Sequence, residues 1–383
     1  MNYIPVIYYH SIAPQKNSYW FRNWLTLEQK YFEIHLKYFK EKGHQCLFLD
    51  EYFQLRDTNE KGKYVVLTFD DGYLDNYIYV YPLLKKYGFK GTIFVNPDFV
   101  DEKSTPRKTL SDYWDNKASL KDIDNWGFLN WEEMREMEKS GTIYIQSHTM
   151  THTKHFVSDK LVDFHHPGAD SLYYIGNKFP ERKPYYITDP EFEKLVTYGY
   201  PVFEQKSSVI ARKVDINPSF NHSIIQSFKD VDWSLPYDFK SLYAKVRNIC
   251  DDYKKNDEII EHIESEADYK KRVYNELKNS KEILETNLDK KVNFLSWPHG
   301  DNNEFAHKTA LDLGYKATTL GNSQSYDGSK NRIPPRIGLS GVRDSKLLTR
   351  LKTHYKVQSY FKNFPYYHFN KIYYKTRYGL KID

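Results

Sequence analysis

Short apolar runs alternate with helix-forming segments along most of this chain. Strands that alternate with helices pair in parallel, and seven or more such units indicate a closed or nearly closed barrel. The sequence therefore predicts an α/β fold: a distorted (β/α)7-type barrel with a long insertion and a basic C-terminal tail. The runs that we interpret as strands are Ile4–Tyr9, Gln45–Leu49, Tyr64–Phe69, Gly91–Val95, Thr142–Gln146, Val292–Ser296, Tyr315–Thr319 and, more weakly, Pro334–Leu339.

The alternation stops between about His155 and Glu264, where Pro, Gly and Tyr clusters take its place. A connection of this length is far longer than the usual link between two elements, so we expect it to cover the functional site. The predicted division is a first barrel segment at 1–155, an insertion at 156–265, a second barrel segment at 266–343 and a tail at 344–383.

Two adjacent carboxylates, Asp70 and Asp71, follow the apolar run Tyr64–Phe69 and precede Gly72. At the end of a strand, a glycine allows the chain to turn and bring both side chains to the rim of a barrel. One carboxylate can then bind a metal ion while the other, held ionised beside it, takes a proton from water. The alternative is an ordinary Asp-Asp-Gly turn with no ligand.

Two histidines, His148 and His152, follow the run Thr142–Gln146 at a spacing of four. This spacing places both imidazoles on one side of a turn, and imidazole with carboxylate suits zinc. Three protein ligands leave a coordination position open for water, as catalysis requires. Solvated loop histidines are the alternative, and His155 is a competing ligand of lower rank.

Further polar residues follow other predicted strands, namely His10 and the segment Pro298-His299-Gly300. Active groups of parallel barrels lie at the carboxyl ends of the strands. The convergence of four strand ends therefore predicts a single site at one rim.

Thr68-Phe69-Asp70-Asp71-Gly72 and His148-Thr149-Met150-Thr151-His152 resemble the motifs of the polysaccharide deacetylase family, also known as the NodB-homology or carbohydrate esterase family 4 enzymes. The order of motifs is similar to that of a circularly permuted branch containing poly-N-acetylglucosamine deacetylases, in which a Tyr-His motif lies near the N-terminus; here it is Tyr8-Tyr9-His10-Ser11-Ile12. The resemblance implies that Asp70 is the catalytic base, that Asp71, His148 and His152 bind the metal, most simply Zn²⁺, and that His10 protonates the leaving amine.

The segment Leu295–Gly300 resembles the third motif of the family, whose common form is Arg-x-Pro-Tyr-Gly. Here Ser296 stands at the arginine position and His299 at the tyrosine position. The resemblance assigns Trp297, Pro298, His299 and Gly300 to the substrate and oxyanion region, with the His299 backbone N–H as the oxyanion donor. We hypothesise that Arg336 replaces the missing arginine and orients the base, the alternative being a surface arginine after a proline turn.

These features predict a metal-dependent hydrolase that removes N-acetyl groups from an amino sugar in a polysaccharide or glycan precursor. A de-O-acetylase, an amidase acting on a non-sugar amide and a non-catalytic sugar-binding relative stay open as alternatives. We expect an N-acetylated sugar or polysaccharide as the partner. The tyrosines of the insertion, among them Tyr173, Tyr174 and Tyr198, are candidates for stacking on sugar rings.

Charge is concentrated at the C-terminal end, where Ser345–Asp383 holds nine lysine or arginine residues, ten tyrosine or phenylalanine residues and one acid. This tail either contacts an anionic membrane surface or packs on the barrel as an ordinary basic helix. No nucleic-acid-binding module is recognisable. The N-terminal segment lacks a basic region, and no run approaches the ~18 apolar residues of a membrane span. We therefore expect a protein that is cytoplasmic or peripheral to the inner face of the membrane.

Overall fold

The computed structural model describes residues 4–58, 60, 62–256, 259–321, 324–326, 328–361 and 365–369. Its strands are β1 (Val6–Tyr9), β2 (Ser11–Ala13), β3 (Thr26–Glu28), β4 (Gln45–Leu47), β5 (Tyr64–Phe69), β6 (Gly91–Val95), β7 (Ile143–Ser147), β8 (Lys154–Phe164), β9 (Pro201–Ser207), β10 (Val214–Ile216), β11 (Ile260–Ile263), β12 (Phe294–Leu295), β13 (Ala317–Thr318) and β14 (Arg336–Gly338). Its α-helices are α1 (Gln29–Glu41), α2 (Leu49–Leu55), α3 (Tyr81–Tyr87), α4 (Leu110–Trp114), α5 (Trp131–Lys139), α6 (Leu172–Lys178), α7 (Pro218–Ser227), α8 (Phe239–Lys254), α9 (Glu266–Leu288), α10 (Glu304–Asp312) and α11 (Lys346–Tyr360).

A curled parallel sheet forms the centre of the fold, with strands in the order β13-β12-β7-β6-β5-β1-β14. Strand β4 pairs with the first half of β5, and β6 pairs with its second half. The apolar runs form the strands because their side chains are buried on both faces; all six residues of β5 and all five of β6 are buried. The predicted α/β fold, a distorted parallel barrel, is confirmed.

One segment near the end of the sequence joins the two edges of this sheet. The backbone N–H of Ile333 donates to the carbonyl of Thr318, the last residue of β13. Three residues later the same segment becomes β14, which pairs with β1 in the register Val6 to Arg336. The curled sheet is therefore bridged where a barrel would close.

Helices cover the outer face of the sheet. Capping residues mark the ends of two of them. Asn130 caps α5, since its side chain accepts a hydrogen bond from the Glu133 N–H while Glu133 bonds back to the Asn130 N–H. Gly88, in the left-handed conformation, ends α3.

The region between β7 and α9 does not continue the barrel. It contains the antiparallel pairs β8–β9 and β10–β11, helices α6, α7 and α8, and an apolar cluster around Phe164, Phe203 and Phe220. The division of the chain at residues 156, 266 and 344 stays a prediction.

The described part of the tail packs against the barrel. Helix α11 lies on α1, where Arg350 forms an ion pair with Glu41 and the Tyr38 hydroxyl is 2.9 Å from His354 Nδ1. This packing favours the ordinary-helix alternative, and the predicted membrane contact is unsupported. Tyr373 and Tyr374 lie outside the described residues. Within the described part of the chain, we find no helix that is both long and apolar enough to cross a membrane.

Candidate metal centre and active site

The predicted site residues meet at one rim of the sheet. Asp70 and Asp71 follow β5, His148 follows β7, and His10 follows β1. Ladder hydrogen bonds continue through these positions, because the Asp70 N–H donates to Tyr9 and the His148 N–H donates to Val95. The parallel register therefore sets the heights of the site residues.

Asp71, His148 and His152 form one compact cluster. The Nε2 atoms of both histidines lie 3.1 Å from Asp71 Oδ1, and the three ligand atoms lie within 4.8 Å of one another. His148 Nδ1 is 2.8 Å from the carbonyl oxygen of Ser296. Since a carbonyl only accepts, Nδ1 carries a proton, and the Nε2 atom is the one that faces Asp71.

The cluster has the donor set of a divalent cation site. The buried Oδ1 of Asp71 has no partner with hydrogen-bond geometry among the described residues, although both Nε2 atoms are close. Burial lowers the pKa of His152, which favours the neutral imidazole that a metal ligand needs. One carboxylate and two imidazoles suit zinc and its neighbours.

Asp70 is held by Arg336. The guanidinium donates two hydrogen bonds to the carboxylate, at 2.7 and 2.8 Å, and further bonds to Thr68 Oγ1 and Ser296 Oγ. Burial raises the pKa of Asp70, but the charge of Arg336 outweighs it, so the pKa lies below its usual value. The small Ser296, which stands where the family's common motif has arginine, contacts the arginine that reaches this place from β14.

Four non-glycine residues around the site adopt left-handed backbone conformations. They are Asp71 (φ 76°), Thr149 (φ 65°), His152 (φ 43°) and His299 (φ 61°). Such conformations are costly for L-residues and persist where the surrounding structure enforces them. Gly72 follows at φ 70°, and a Cβ there would lie 3.2 Å from Val95. The predicted turn after β5 therefore begins at Asp71 itself.

The third predicted motif lies beside the metal ligands. Trp297 is buried, and its backbone N–H donates to Thr319 Oγ1. Pro298 and Gly300 form a tight turn that sets the His299 ring 4.6 Å from the ring of His152. Burial lowers the pKa of His299 well below its usual value, so its imidazole is neutral. His10 is half-buried at the same rim.

These residues line a cavity of about 720 Å³. Its outer wall combines the insertion, as predicted, with Phe21, Arg22 and Trp24, which our sequence reasoning missed. Arg22 is buried there and forms a two-point ion pair with Asp170, at 2.8 and 3.0 Å, and a hydrogen bond to the Tyr173 hydroxyl. Phe21 and Trp24, on either side of Arg22, are 58% and 68% exposed and line the cavity. The cluster of four aromatic residues around a single arginine in 19–24 was the available signal.

Three tyrosines of the insertion use their hydroxyl groups in hydrogen bonds within the protein. Tyr174 is buried, and its hydroxyl is 2.8 Å from His165 Nδ1; the hydroxyl of Tyr198 donates to Glu193. Tyr173 lines the cavity, but its hydroxyl accepts from Arg22. Tyr174 does not line this cavity, whereas the exposed rings of Phe21 and Trp24 do. That the tyrosines of the insertion stack on sugar rings stays a prediction.

Residues 57–166 match the family model described as Polysaccharide deacetylase. The Bacillus subtilis (strain 168) protein YxkH, named among the polysaccharide deacetylases, is 35% identical over 151 residues. That alignment covers 39% of this chain and 43% of YxkH, so the chain spans less than half the length of this relative. The resemblance to the polysaccharide deacetylase family is thus confirmed.

The fold resembles that of solved deacetylases. A de-N-acetylase from Aggregatibacter actinomycetemcomitans superposes with a TM-score of 0.53 at 17% identity, covering 91% of this chain and 99% of that one. The BpsB deacetylase domain from Bordetella bronchiseptica gives a TM-score of 0.48 at 14% identity, with 88% of this chain and 96% of that chain covered. At this identity, the first superposition shows a shared fold.

Proposed function

We propose that this chain is a metal-dependent hydrolase that removes N-acetyl groups from an amino sugar of a polysaccharide or glycan precursor and releases acetate. The observation that carries the proposal is the convergence of two assemblies in one cavity. The cluster Asp71–His148–His152 lies next to the pair Asp70–Arg336. The family match of residues 57–166 supports this reading.

Asp70 is the proposed base. Arg336 keeps its carboxylate ionised and fixes its plane through two hydrogen bonds, so that it is ready to accept a proton from water. The water oxygen attacks the acetamide carbonyl carbon as its proton moves to Asp70. Because Arg336 holds the Asp70 carboxylate through two hydrogen bonds, we assign it the role of positioning this base.

Asp71, His148 and His152 would hold the metal ion, most simply Zn²⁺. A divalent cation bound there would polarise the acetamide carbonyl and lower the pKa of water. The carbonyl of Ser296 fixes the His148 tautomer that such a ligand needs.

His10 is the proposed acid on the other side of the reacting group. Its proton goes to the amide nitrogen as the carbon–nitrogen bond breaks, which leaves acetate and a free sugar amine. The backbone N–H of His299, placed by the left-handed turn after Pro298, is the proposed donor to the oxyanion. Trp297 and Gly300 shape the wall around it.

The substrate would enter past Phe21 and Trp24, whose exposed rings can stack on the apolar faces of sugars. A de-O-acetylase would use the same water, base and cation but needs no proton on nitrogen. Retention of activity in a His10→Ala variant on an O-acetyl sugar would therefore favour that alternative.

The test is acetate release from N-acetylglucosamine oligomers by the zinc-loaded protein, the chelator-treated protein and Asp70→Asn. Asp251→Asn, an exposed aspartate on α8, serves as the matched control. We expect release that is lost on chelation and in Asp70→Asn but kept in Asp251→Asn. Release that persists in Asp70→Asn, or that is indifferent to the chelator, would refute the proposal. Sugar binding without any acetate release would indicate a non-catalytic relative.

A further inference from the structure

The cationic side chains that line the catalytic cavity differ in how they are neutralised. Arg22 is paired with Asp170, and Arg336 is paired with Asp70. Lys154 lines the same cavity, yet it forms no ion pair with any carboxylate among the residues that the structure describes. Its charge is therefore available to a ligand.

The position of Lys154 is set by the fold. It is the first residue of β8, two residues beyond the proposed ligand His152, and it is half-buried. Its ammonium lies 5.2 Å from the centre of the Tyr173 ring, a ring that Arg22 holds in place by a hydrogen bond. An aromatic face favours a cation but leaves N–H donors of the ammonium without an acceptor. A partly desolvated ammonium of this kind gains from an anionic partner.

Further lysines lie on the side of Lys154 that faces away from the catalytic cavity. A second cavity, of about 260 Å³, shares Lys154 with the catalytic cavity and is also lined by Lys178 and Lys213. Lys213 is 3.4 Å from Asp215, but the Lys178 ammonium rests on the Tyr200 ring, 3.9 Å from its centre. The carboxylates of Asp301 and Asp170 also act on Lys154, but neither is within ion-pair distance and Asp170 is already paired with Arg22, so Lys154 is the cation at this end of the catalytic cleft that lacks a described ion-pair partner.

We propose that the acetylated glycan carries a negatively charged group, a carboxylate or a phosphate, next to the reacting sugar, and that Lys154 recognises it. The inference rests on the proposed function, because it places the charged group relative to the sugar held at the base and the metal ligands. Lys154 is a specificity-determining residue in this scheme and takes no part in bond breaking.

The test compares the binding of acetylated oligosaccharides that differ in charge. The probes are a chitin tetrasaccharide, a tetrasaccharide of alternating N-acetylglucosamine and glucuronate, and a chitin tetrasaccharide with one phosphomonoester. Dissociation constants are measured by calorimetry on the zinc-loaded full chain with Asp70→Asn, which prevents turnover. Lys154→Met removes the charge at similar length, Lys154→Arg keeps it, and Lys160→Met removes an exposed lysine of the same strand.

We expect at least one anionic probe to bind about tenfold more tightly than the neutral one, the effect of one charge-assisted contact. Lys154→Met should abolish this preference and leave neutral binding unchanged, while Lys154→Arg and Lys160→Met should retain it. The acidic and phosphorylated probes separate the two sources of charge. Equal binding of all three probes, or a preference that survives Lys154→Met, would overturn the inference. Acetate release from the neutral tetrasaccharide by the wild type tests the deacetylase separately, so the two proposals can fail independently.

Discussion

Replacing Arg336 by methionine removes the partner of a buried carboxylate. The side chains of Asp70 and Arg336 are 5% and 14% exposed, so water screens this pair little. The substitution keeps most of the apolar stem and removes the guanidinium group, whose carbon lies 5.3 and 5.7 Å from the centres of the Tyr8 and Phe94 rings. It therefore isolates the charge and the hydrogen bonds from the packing.

The loss of unfolding free energy depends on whether Asp70 stays ionised or takes a proton once Arg336 is removed. Breaking a buried ion pair by removing one partner destabilises a protein by about 3–5 kcal/mol. The carboxylate can escape part of this penalty by taking a proton, and protonating a carboxyl of ordinary pKa at pH 7 costs about 4 kcal/mol. We therefore expect Arg336→Met to lower the free energy of unfolding by about 3–4 kcal/mol.

A double-mutant cycle measures the pair itself. Urea unfolding of Arg336→Met, Asp70→Asn and the double variant, all with chelator present, should give a coupling energy of about 3 kcal/mol. The exposed pair Lys117–Asp115, at 2.9 Å, is the matched control, and its coupling should lie below about 1 kcal/mol.

Acetate release supplies the functional half of this prediction. Arg336→Met should fold and bind zinc yet lose activity, and Arg336→Lys should recover part of it, because lysine restores the charge but not the two-point fork. A coupling energy no larger than that of the exposed control pair, or full activity in Arg336→Met, would refute the reasoning.

Three further predictions concern the proposed metal ligands, the cavity wall, and Asp75, a buried carboxylate that accepts a hydrogen bond from the Ser11 hydroxyl. His148→Ala should lower zinc affinity at least about tenfold, measured as metal content after dialysis, because it removes one of three ligands. Burial raises the pKa of Asp75 to about 6, so the stability that its protonated form contributes is present below about pH 4 and lost as pH rises through about 6. Asp75→Asn should therefore reduce the loss of unfolding free energy between about pH 4 and about pH 8 by about 3 kcal/mol, and an unchanged pH dependence would contradict this. Trp24→Ala should raise KM for long N-acetylglucosamine oligomers by about threefold to tenfold with little change in kcat, whereas Tyr19→Ala, which removes a 96% exposed ring nearby, should not.

The parts of the site that sequence could predict are those encoded locally. Asp70 and Asp71 follow an apolar run, and His148 and His152 are four residues apart, so their spacing and strand-end positions can be read without a fold. The outer wall could not be predicted in this way. Arg22 and Asp170 are 148 residues apart, and their pairing depends on how the insertion folds back over the rim.

The position of Arg336 in the site also could not be deduced from strand ends alone. Its backbone pairs with Val6 at the start of β1, below the rim, and its side chain extends along the sheet to reach Asp70. The other site residues were identified because they follow the ends of strands. This rule does not find Arg336, because its backbone lies within the sheet and only its long side chain reaches the rim.

The parallel α/β fold and the proposed metal ligands Asp71, His148 and His152 could be predicted from the sequence, because strand burial, helix caps and ligand spacing are properties of neighbouring residues. The folded structure was needed to show that Arg336 pairs with Asp70, which aromatic rings are exposed beside the cavity, and that Lys154 lines it without an ion-pair partner among the described residues. These features depend on distances between distant segments, and such distances arise only when the sheet has curled and the insertion has packed against it.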